Sequence, residues 1–372
     1  MVFVRYHAGL EQPEENFETN QQIIVDRIKK YESESVAAEG ANTAVRFAHA
    51  KAYGLLRATF EILPGVPSEY AQGVYARPGP HAAVVRYSNG LAHLGADDTL
   101  GPVVGMAVKL FDIDGPMELD DERHSRTMDF NMINGPIFFC NTVQKYVFLE
   151  KIFVDLPKYH ARGKDGRNQM FHDWVTGFGN LAPADWAWDE LGAFLRLGGG
   201  AVWQNLLLSS FWSMGAVRHG DYIAKLRIRP TAETAAAIKR RMLDPASAKE
   251  VFRPALVTEI AERACEFDFQ VQLCTDLTTM PFEDLTVEWP EKASPFVTVA
   301  KLRLPRQDIG DDSNLRAAEG ISLTPWRCPK LHHPVGSLQR LRKEVYRQSS
   351  IHRHNVNRVK RQEPRTPDDL FR

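Results

Sequence analysis

The chain has 372 residues, of which 44% are hydrophobic and 25% are charged, and its formal net charge at pH 7 is -1. This ordinary globular composition is long enough for one large domain with a sizeable core, and its charge argues against a protein that coats nucleic acid or an anionic membrane. The four scattered cysteines form no C-x-x-C pair and no apolar run reaches the roughly 18 residues of a membrane span, so we expect a soluble protein in a reducing, cytoplasmic compartment.

The first elements along the chain are a helix and three strands. Residues 18–31 have helical spacing, and we interpret residues 1–40 as an N-terminal arm outside the core, which favours a homo-oligomer such as a dimer. The second half of 45–62 shifts to the two-residue alternation of a strand. Two more β-like runs follow at 82–88 and 104–113, and the turn signal Asn89-Gly90 lies between them. These runs predict an antiparallel sheet or barrel.

The middle of the chain changes character. Residues 129–139 read as a turn that leads into an aromatic pair, and about 143–213 is helical and rich in tryptophan. Strand patterns return at 222–230, 266–273 and 296–304, with a helix predicted from 231 to 246 and onward. We predict an α+β fold with an antiparallel β-barrel core, surrounding helices and a frayed C-terminal tail from 357 to 372.

A predicted helix at 341–354, LRKEVYRQSSIHRH, carries the first chemical signal. Arg342 and Tyr346 are four residues apart and therefore share one face. A guanidinium beside the phenol oxygen favours the phenolate, an anionic ligand suited to ferric iron. The pattern alone is common, and a basic, solvated helix with Tyr346 packed on the core explains it as well.

Other residues could complete a haem site that cleaves peroxides. His49 could move a proton between the two peroxide oxygens, and Asn134 could orient the peroxide. Phe138 or Phe139 could cover the porphyrin face. The guanidinium groups that could pair with the propionates are those of Arg46, Arg86 and Arg353. For each residue an ordinary structural role, such as an Asn-Gly turn at Asn134, is also open.

Together, in order, these segments resemble the haem catalase family, most closely its short, catalase-related branch (mini-catalases). Arg46-Phe-Ala-His49-Ala-Lys is similar to the family's distal Arg-x-x-His-Ala-Lys motif, and 85–88 to its Val-Arg-Phe-Ser. Residues 105–110, 280–290 and 299–304 resemble further strand motifs, and Arg342-x-x-x-Tyr346 stands where the proximal motif belongs. The family's Asn-Asn-x-Pro is Ile133-Asn134-Gly-Pro here.

The resemblance implies a catalase-like haem domain over 41–356, with the tryptophan-rich helical region as an insertion. It implies haem b with Tyr346 as the iron ligand, and His49 and Asn134 as catalytic residues. The remaining candidates, Arg46, Arg86, Phe138, Arg342 and Arg353, would bind the cofactor. The expected activity is cleavage of the O–O bond of hydrogen peroxide or an organic hydroperoxide, with a small-molecule electron donor.

Two alternatives stay open. One is a fatty-acid hydroperoxide isomerase or dehydratase, or another pathway-specific haem oxidase on the same scaffold, which a long apolar channel would favour. The other is a haem-binding or interaction protein without catalysis. The basic stretch near the C-terminus suggests a nucleic-acid-binding arm only weakly, because it has no interleaved aromatic residues, and we expect no nucleic-acid partner.

Overall fold

An antiparallel sheet that closes on itself forms the centre of the fold. The computed structural model describes residues 2–38, 40 and 43–371. Its strands are β1 (Ala52–Ile62), β2 (Gly79–Asn89), β3 (Val104–Leu110), β4 (Met128–Ile133), β5 (Phe211–Ser213), β6 (Val217–His219), β7 (Tyr222–Pro230), β8 (Cys265–Leu273) and β9 (Val297–Leu304). Its helices are α1 (Phe17–Ala38), α2 (Asp97–Leu100), α3 (Val143–Ala161), α4 (Gly163–Thr176), α5 (Trp188–Gly200), α6 (Ala232–Ala237), α7 (Phe252–Glu262), α8 (Asp312–Gly320) and α9 (Ser337–Val356).

Eight of the described strands make a closed barrel. The order around the sheet is β5-β4-β3-β2-β1-β9-β8-β7, and pairing of Phe211 with Ile228 joins β5 to β7. Alternate side chains point inward, where the rings of Phe60, Phe130 and Phe269 lie 4.9 to 6.2 Å apart. The predicted α+β fold with an antiparallel barrel core and surrounding helices is confirmed.

The N-terminal segment is part of the core, contrary to our expectation of an arm. Along α1, Phe17, Ile24 and Ile28 are buried with Trp174 of α4 and Leu341 of α9 in one apolar cluster. The stripe that we assigned to an arm therefore packs against helices of the same chain. Most of its apolar face is covered within this chain, although Ile23 stays exposed.

The C-terminal tail is also held in place, and the prediction that it frays is wrong. The Glu363 carboxylate reaches the buried Lys109 and Arg327 side chains, the latter at 3.2 Å. Farther on, Asp368 pairs with Arg57 at 2.6 Å, and Phe371 packs under the same guanidinium. These contacts fasten the tail to the outside of the barrel.

Three element predictions need correction. Residues 128–133 form β4 rather than a turn, since the sequence of this strand alternates apolar and polar residues and its apolar side chains pack into the barrel core. The helix predicted over 231–246 ends at Ala237, and a separate helix, α7, starts at Phe252. The tryptophan-rich helical region ends at Gly200, and 211–213 are a strand. In the part of the chain that the structure describes, no helix has the length and apolar character needed to span a bilayer.

Candidate haem site

A cavity of about 240 Å³ lies where the barrel meets the helices. Strands β2 to β4, the segment before β1, and helices α3, α5 and α9 all contribute to its wall. Most of the predicted site residues line it: Arg46, His49, Arg86, Phe138, Arg342, Tyr346 and Arg353. The fold therefore brings together side chains that are up to about 300 positions apart in sequence.

His49 is fixed by contacts on both its backbone and its ring. Its φ is +58°, in the left-handed region that non-glycine residues rarely adopt, and Arg86 Nη2 donates to its carbonyl oxygen at 2.9 Å. The ring atom Nδ1 lies 2.7 Å from the carbonyl oxygen of Asn89. Because a carbonyl only accepts, Nδ1 carries the hydrogen in the neutral ring and Nε2 keeps its lone pair. A Cβ at Gly105 would lie 2.4 Å from the ring, so only glycine leaves room for it.

The protonation state of His49 follows from its surroundings. Burial, and then repulsion from Arg86, lowers the pKa of His49 from 6.5 to about 4. The imidazole is therefore neutral near pH 7. A neutral ring with a free Nε2 lone pair can accept a proton.

One face of α9 presents the other side of the site. Arg342, Tyr346 and Arg353 follow the spacing of a single helical face, as predicted. The Nη2 atom of Arg342 donates to the Tyr346 oxygen at 3.0 Å, and Nη1 donates to Gln339 at 2.7 Å. The predicted contact between guanidinium and phenol is present, and it stabilises negative charge on the phenol oxygen.

Three arginines gather at one edge of the cavity, and the carboxylate of Glu319 balances their charge only in part. Arg86 and Arg353 are only 3% and 6% exposed, and Arg46 lies beside them. Burial, and then repulsion from Arg353, lowers the pKa of Arg86 to about 10. Burial followed by repulsion from both neighbours lowers the pKa of Arg46 well below its usual range. Such a cluster favours an anionic ligand.

The partners of these arginines are carbonyl groups and one buried carboxyl group. Arg86 Nε donates to the carbonyl oxygen of Ala318 at 2.7 Å, and Arg46 donates to those of Glu319 and Ile321, at the end of α8. These carbonyls lie at the negative end of the helix dipole and so orient the guanidinium groups. The pattern of the sequence does not indicate this role for α8.

Glu32 of α1 is a further residue that the sequence analysis missed. It is fully buried, accepts a hydrogen bond from Ser349 and lies 3.8 Å from Arg353. Burial outweighs these contacts and raises its pKa to about 8, so near neutral pH it is mostly uncharged. It therefore does little to neutralise the arginines. In the sequence, this role is indicated only by the position of Glu32 directly after the apolar stripe of α1.

The structure does not place Asn134 in the cavity. Its Oδ1 accepts from the Val104 backbone at 2.9 Å, and its Nδ2 donates to the carbonyl oxygen of Pro102 at 2.9 Å. The side chain is thus used to fasten the turn, and Ile133 lines the cavity instead. Asn131 shares the Ile133 side of β4 and also lines it, with an Oδ1 that has no partner among the described residues. Two-residue alternation along β4 could have indicated this pair.

Comparison with known proteins supports the architecture. No protein-family model and no curated protein matches the sequence. A fungal catalase crystal structure matches 96% of this chain and 67% of its own, with 16% identity and a TM-score of 0.60. A bacterial catalase matches 88% and 62%, with 17% identity and a TM-score of 0.59.

A third structure agrees with these two. Catalase A from Saccharomyces cerevisiae matches 96% of this chain and 70% of its own, with 16% identity and a TM-score of 0.61. The chain spans about two thirds of the length of these three proteins, between 62% and 70%. The chain therefore has the catalase-like fold, a barrel of antiparallel strands with its helices packed outside.

Proposed function

We propose that this protein binds haem b and is a catalase-related peroxidase that cleaves the O–O bond of hydrogen peroxide or an organic hydroperoxide. The motifs in its sequence favour the short, catalase-related branch, and the proposal includes a small-molecule electron donor, a homo-oligomeric assembly and a cytoplasmic location. One observation carries the proposal: a cluster of poorly neutralised arginines and an Arg342–Tyr346 pair line the same cavity as a neutral His49.

The arginine cluster fits the two propionates of haem. Arg46 and Arg353 each have a buried Nε without a hydrogen-bond partner among the residues described. Two carboxylates would supply acceptors for these donors and would offset the repulsion between the guanidinium groups. Arg46, Arg86 and Arg353 would therefore hold the propionate edge.

Tyr346 fits the role of iron ligand. Its oxygen accepts a hydrogen bond from Arg342, and an anionic oxygen is a ligand preferred by ferric iron. Phe138 lines the cavity with two tilted aromatic neighbours, Phe139 and Tyr146, and together they form an apolar surface for a flat macrocycle. When bound, the haem would supply the redox chemistry.

His49 would carry the proton chemistry. Its neutral Nε2 would accept the proton from one peroxide oxygen and return it to the other as the O–O bond breaks. Arg86 keeps the His49 backbone in its strained conformation, and the Asn89 carbonyl keeps the hydrogen on Nδ1. In place of Asn134, we assign Asn131 as the amide that can reach the bound peroxide, because its side chain lines the cavity.

The apolar wall of the cavity favours a second candidate, a fatty-acid hydroperoxide isomerase or dehydratase. Ile133 lines the His49 side, next to Gly105 in the strand register. Leu197 and Gly198 of α5 also line the cavity, and Gly198 is exposed. An apolar route to the surface at this helix would suit a long acyl chain.

Spectra and turnover of the reconstituted protein test the proposal. We expect haem to bind with a Soret band and the charge-transfer bands of a ferric tyrosinate, and to lose those bands in Tyr346→Phe. His49→Gln should keep the haem and lose at least 100-fold in turnover, since general acid–base catalysis contributes about 10²–10⁴-fold. Assays with hydrogen peroxide and with a fatty-acid hydroperoxide separate the two candidates. A protein that binds no haem, or that binds it but turns over neither peroxide, would contradict the proposal.

A further inference from the structure

A second, smaller cavity of about 30 Å³ lies between Arg342 of α9 and strands of the barrel. It shares Asn131, Gln339 and Arg342 with the larger cavity, and Tyr75 and His219 close its far side. Apart from Asn131 and Arg342, the proposed haem chemistry gives no role to the residues named here. Its wall is mostly apolar, like the surrounding core, but it includes several polar side chains.

Four residues of this wall each carry a buried polar atom that lacks a partner among the described residues. They are Tyr75 Oη, Asn131 Oδ1, His219 Nδ1 and Arg342 Nε. Tyr75 and His219 are 2% and 0% exposed, so bulk water does not reach them. Buried polar groups in folded proteins nearly always have partners, in the protein or in ordered water.

The chemistry of the four atoms is complementary to one molecule. His219 Nε2 lies 2.8 Å from the carbonyl oxygen of Tyr70 and therefore donates, which leaves Nδ1 of the neutral ring as an acceptor. Asn131 Oδ1 is a second acceptor. Arg342 Nε–H and the Tyr75 hydroxyl are donors. Water donates two hydrogen bonds and accepts two, so it matches this set of two acceptors and two donors.

We propose that this cavity is a permanent binding site for one or two ordered water molecules. A water needs about 10–15 Å³ of cavity measured in this way and two to four polar partners, and both conditions are met. An apolar ligand would leave all four polar atoms unsatisfied, and an ion would lack a charged partner of the appropriate sign on the His219 side. Neutral, small and polar ligands alone fit.

The proposed water also links Tyr75 and His219 to Arg342, and through Arg342 to Tyr346. The guanidinium of Arg342 is held by Gln339 at one nitrogen and by Tyr346 at another, and the water would hold the third, Nε. Fixing all three nitrogens removes the freedom of the guanidinium to swing away from the phenol oxygen. Tyr75 and His219 are therefore positioning residues that act on Tyr346 through water and Arg342.

A crystal structure of the haem-free protein, at a resolution that shows ordered water, tests the site directly. We expect one or two density peaks within about 2.7–3.2 Å of His219 Nδ1 and Arg342 Nε. The proposal is overturned if the cavity is empty or if side chains move to pair with each other directly. This readout does not need haem, so it is independent of the proposed function.

Matched variants test the positioning role. Tyr75→Phe removes only the hydroxyl and should lose or displace a water peak, and in the haem-loaded protein it should shift the iron–tyrosinate vibration. Tyr87→Phe is the control, because Tyr87 also has a buried hydroxyl without a partner but lines neither cavity. His219→Gln keeps an acceptor and should retain the water, whereas His219→Leu should lose it. Equal vibrations in Tyr75→Phe and Tyr87→Phe would refute the positioning role, even with the water present.

Discussion

Burial of Arg353 makes its positive charge unfavourable in the empty protein but suited to binding an anion. Burial lowers its pKa, and Glu32 only partly offsets that effect. A guanidinium in this position destabilises the protein without a ligand and becomes favourable when an anion reaches it. The cavity edge is thus prepared for an anion at some expense to the stability of the empty protein.

Replacing Arg353 tests whether it holds a propionate. Arg353→Gln should weaken haem retention by roughly tenfold to a hundredfold, which corresponds to the about 1.5–3 kcal/mol of a charge-assisted hydrogen bond. The rate of haem transfer to apomyoglobin measures this. Arg347→Gln is the control, since Arg347 is on the same helix but pairs with Asp121 outside the cavity. Equal rates of haem transfer for the two variants would show that Arg353 does not bind a propionate.

The pH dependence of turnover tests His49. Because its pKa is lowered from 6.5 to about 4, His49 should stay neutral as the pH falls through 6.5 and become protonated only near pH 4. Turnover limited by His49 should therefore hold from pH 7 to about 5 and fall below that. Steady-state rates between pH 3.5 and 8, with folding followed by circular dichroism, measure the midpoint. A midpoint near 6.5 in folded protein would contradict the assigned environment.

At the scale of elements, α1 and α9 meet through a titratable contact. Glu32 of α1 lies against Ser349 and Arg353 of α9, with its pKa raised from 4.5 to about 8. Between pH 4.5 and about pH 8, the Glu32 carboxyl group keeps its proton in the folded state but has lost it in the unfolded state. The free energy of unfolding should therefore fall as the pH rises from about 4.5 to 8.

Glu32→Gln should flatten this pH dependence in the haem-free protein. The variant stays neutral in both states, so it should be more stable than the wild type at pH 8 by a few kcal/mol, with each pKa unit contributing about 1.4 kcal/mol. Urea unfolding at pH 5 and pH 8 measures the difference. Glu34→Gln provides the control, because Glu34 is exposed on the same helix. If the free energy of unfolding changed with pH in the same way for the wild type and Glu32→Gln, Glu32 would not titrate in this range.

The tail makes a second prediction at this scale. Glu363→Gln should lower the free energy of unfolding by about 3 kcal/mol, because it leaves the buried charges of Lys109 and Arg327 short of a carboxylate. Asp368→Asn breaks an exposed pair with Arg57 and should cost under about 1 kcal/mol. Chemical denaturation of both variants gives the comparison. Similar small losses would mean that the tail is not anchored at Glu363.

The sequence predicted some elements well because their patterns are local. The sequences of β1, β7 and β9 alternate between apolar and polar residues, and Arg342 and Tyr346 have helical spacing, so periodicity predicted these elements. The strand β4 also alternates, but it has only six residues and runs directly into the turn signal Asn134-Gly135, which favoured the interpretation as a turn.

Other features depend on tertiary contacts, which the periodicity of a sequence does not reveal. The apolar stripe of α1 is the same whether it packs on another chain or on its own helices, so the sequence could not place it. The position of Asn134 two residues before a motif proline did not show that its amide would bind the backbone of Pro102 and Val104. The neutral Glu32 depends on burial created by elements from both ends of the chain.

At the scale of the whole molecule, the cavity is lined by separate parts of the fold. Ile28 comes from α1, Arg86 and Ala107 from the barrel, Phe194 from α5 and Tyr346 from α9. A ligand in this cavity would contact all of them at once. Since a ligand that binds only the folded state stabilises it, haem should make the barrel and the helical layer unfold together.

Thermal unfolding with haem analogues tests this coupling. Haem at about 100 times its Kd should add roughly 2.7 kcal/mol to the free energy of unfolding and raise Tm in a concentration-dependent way. Metal-free protoporphyrin keeps the propionates but cannot bind Tyr346, and haem dimethyl ester keeps the iron but has no carboxylates for the arginines. Each analogue should therefore raise Tm less than haem does. If the dimethyl ester raised Tm as much as haem, the arginine cluster would not be binding the propionates, and its uncompensated charge would need another anion.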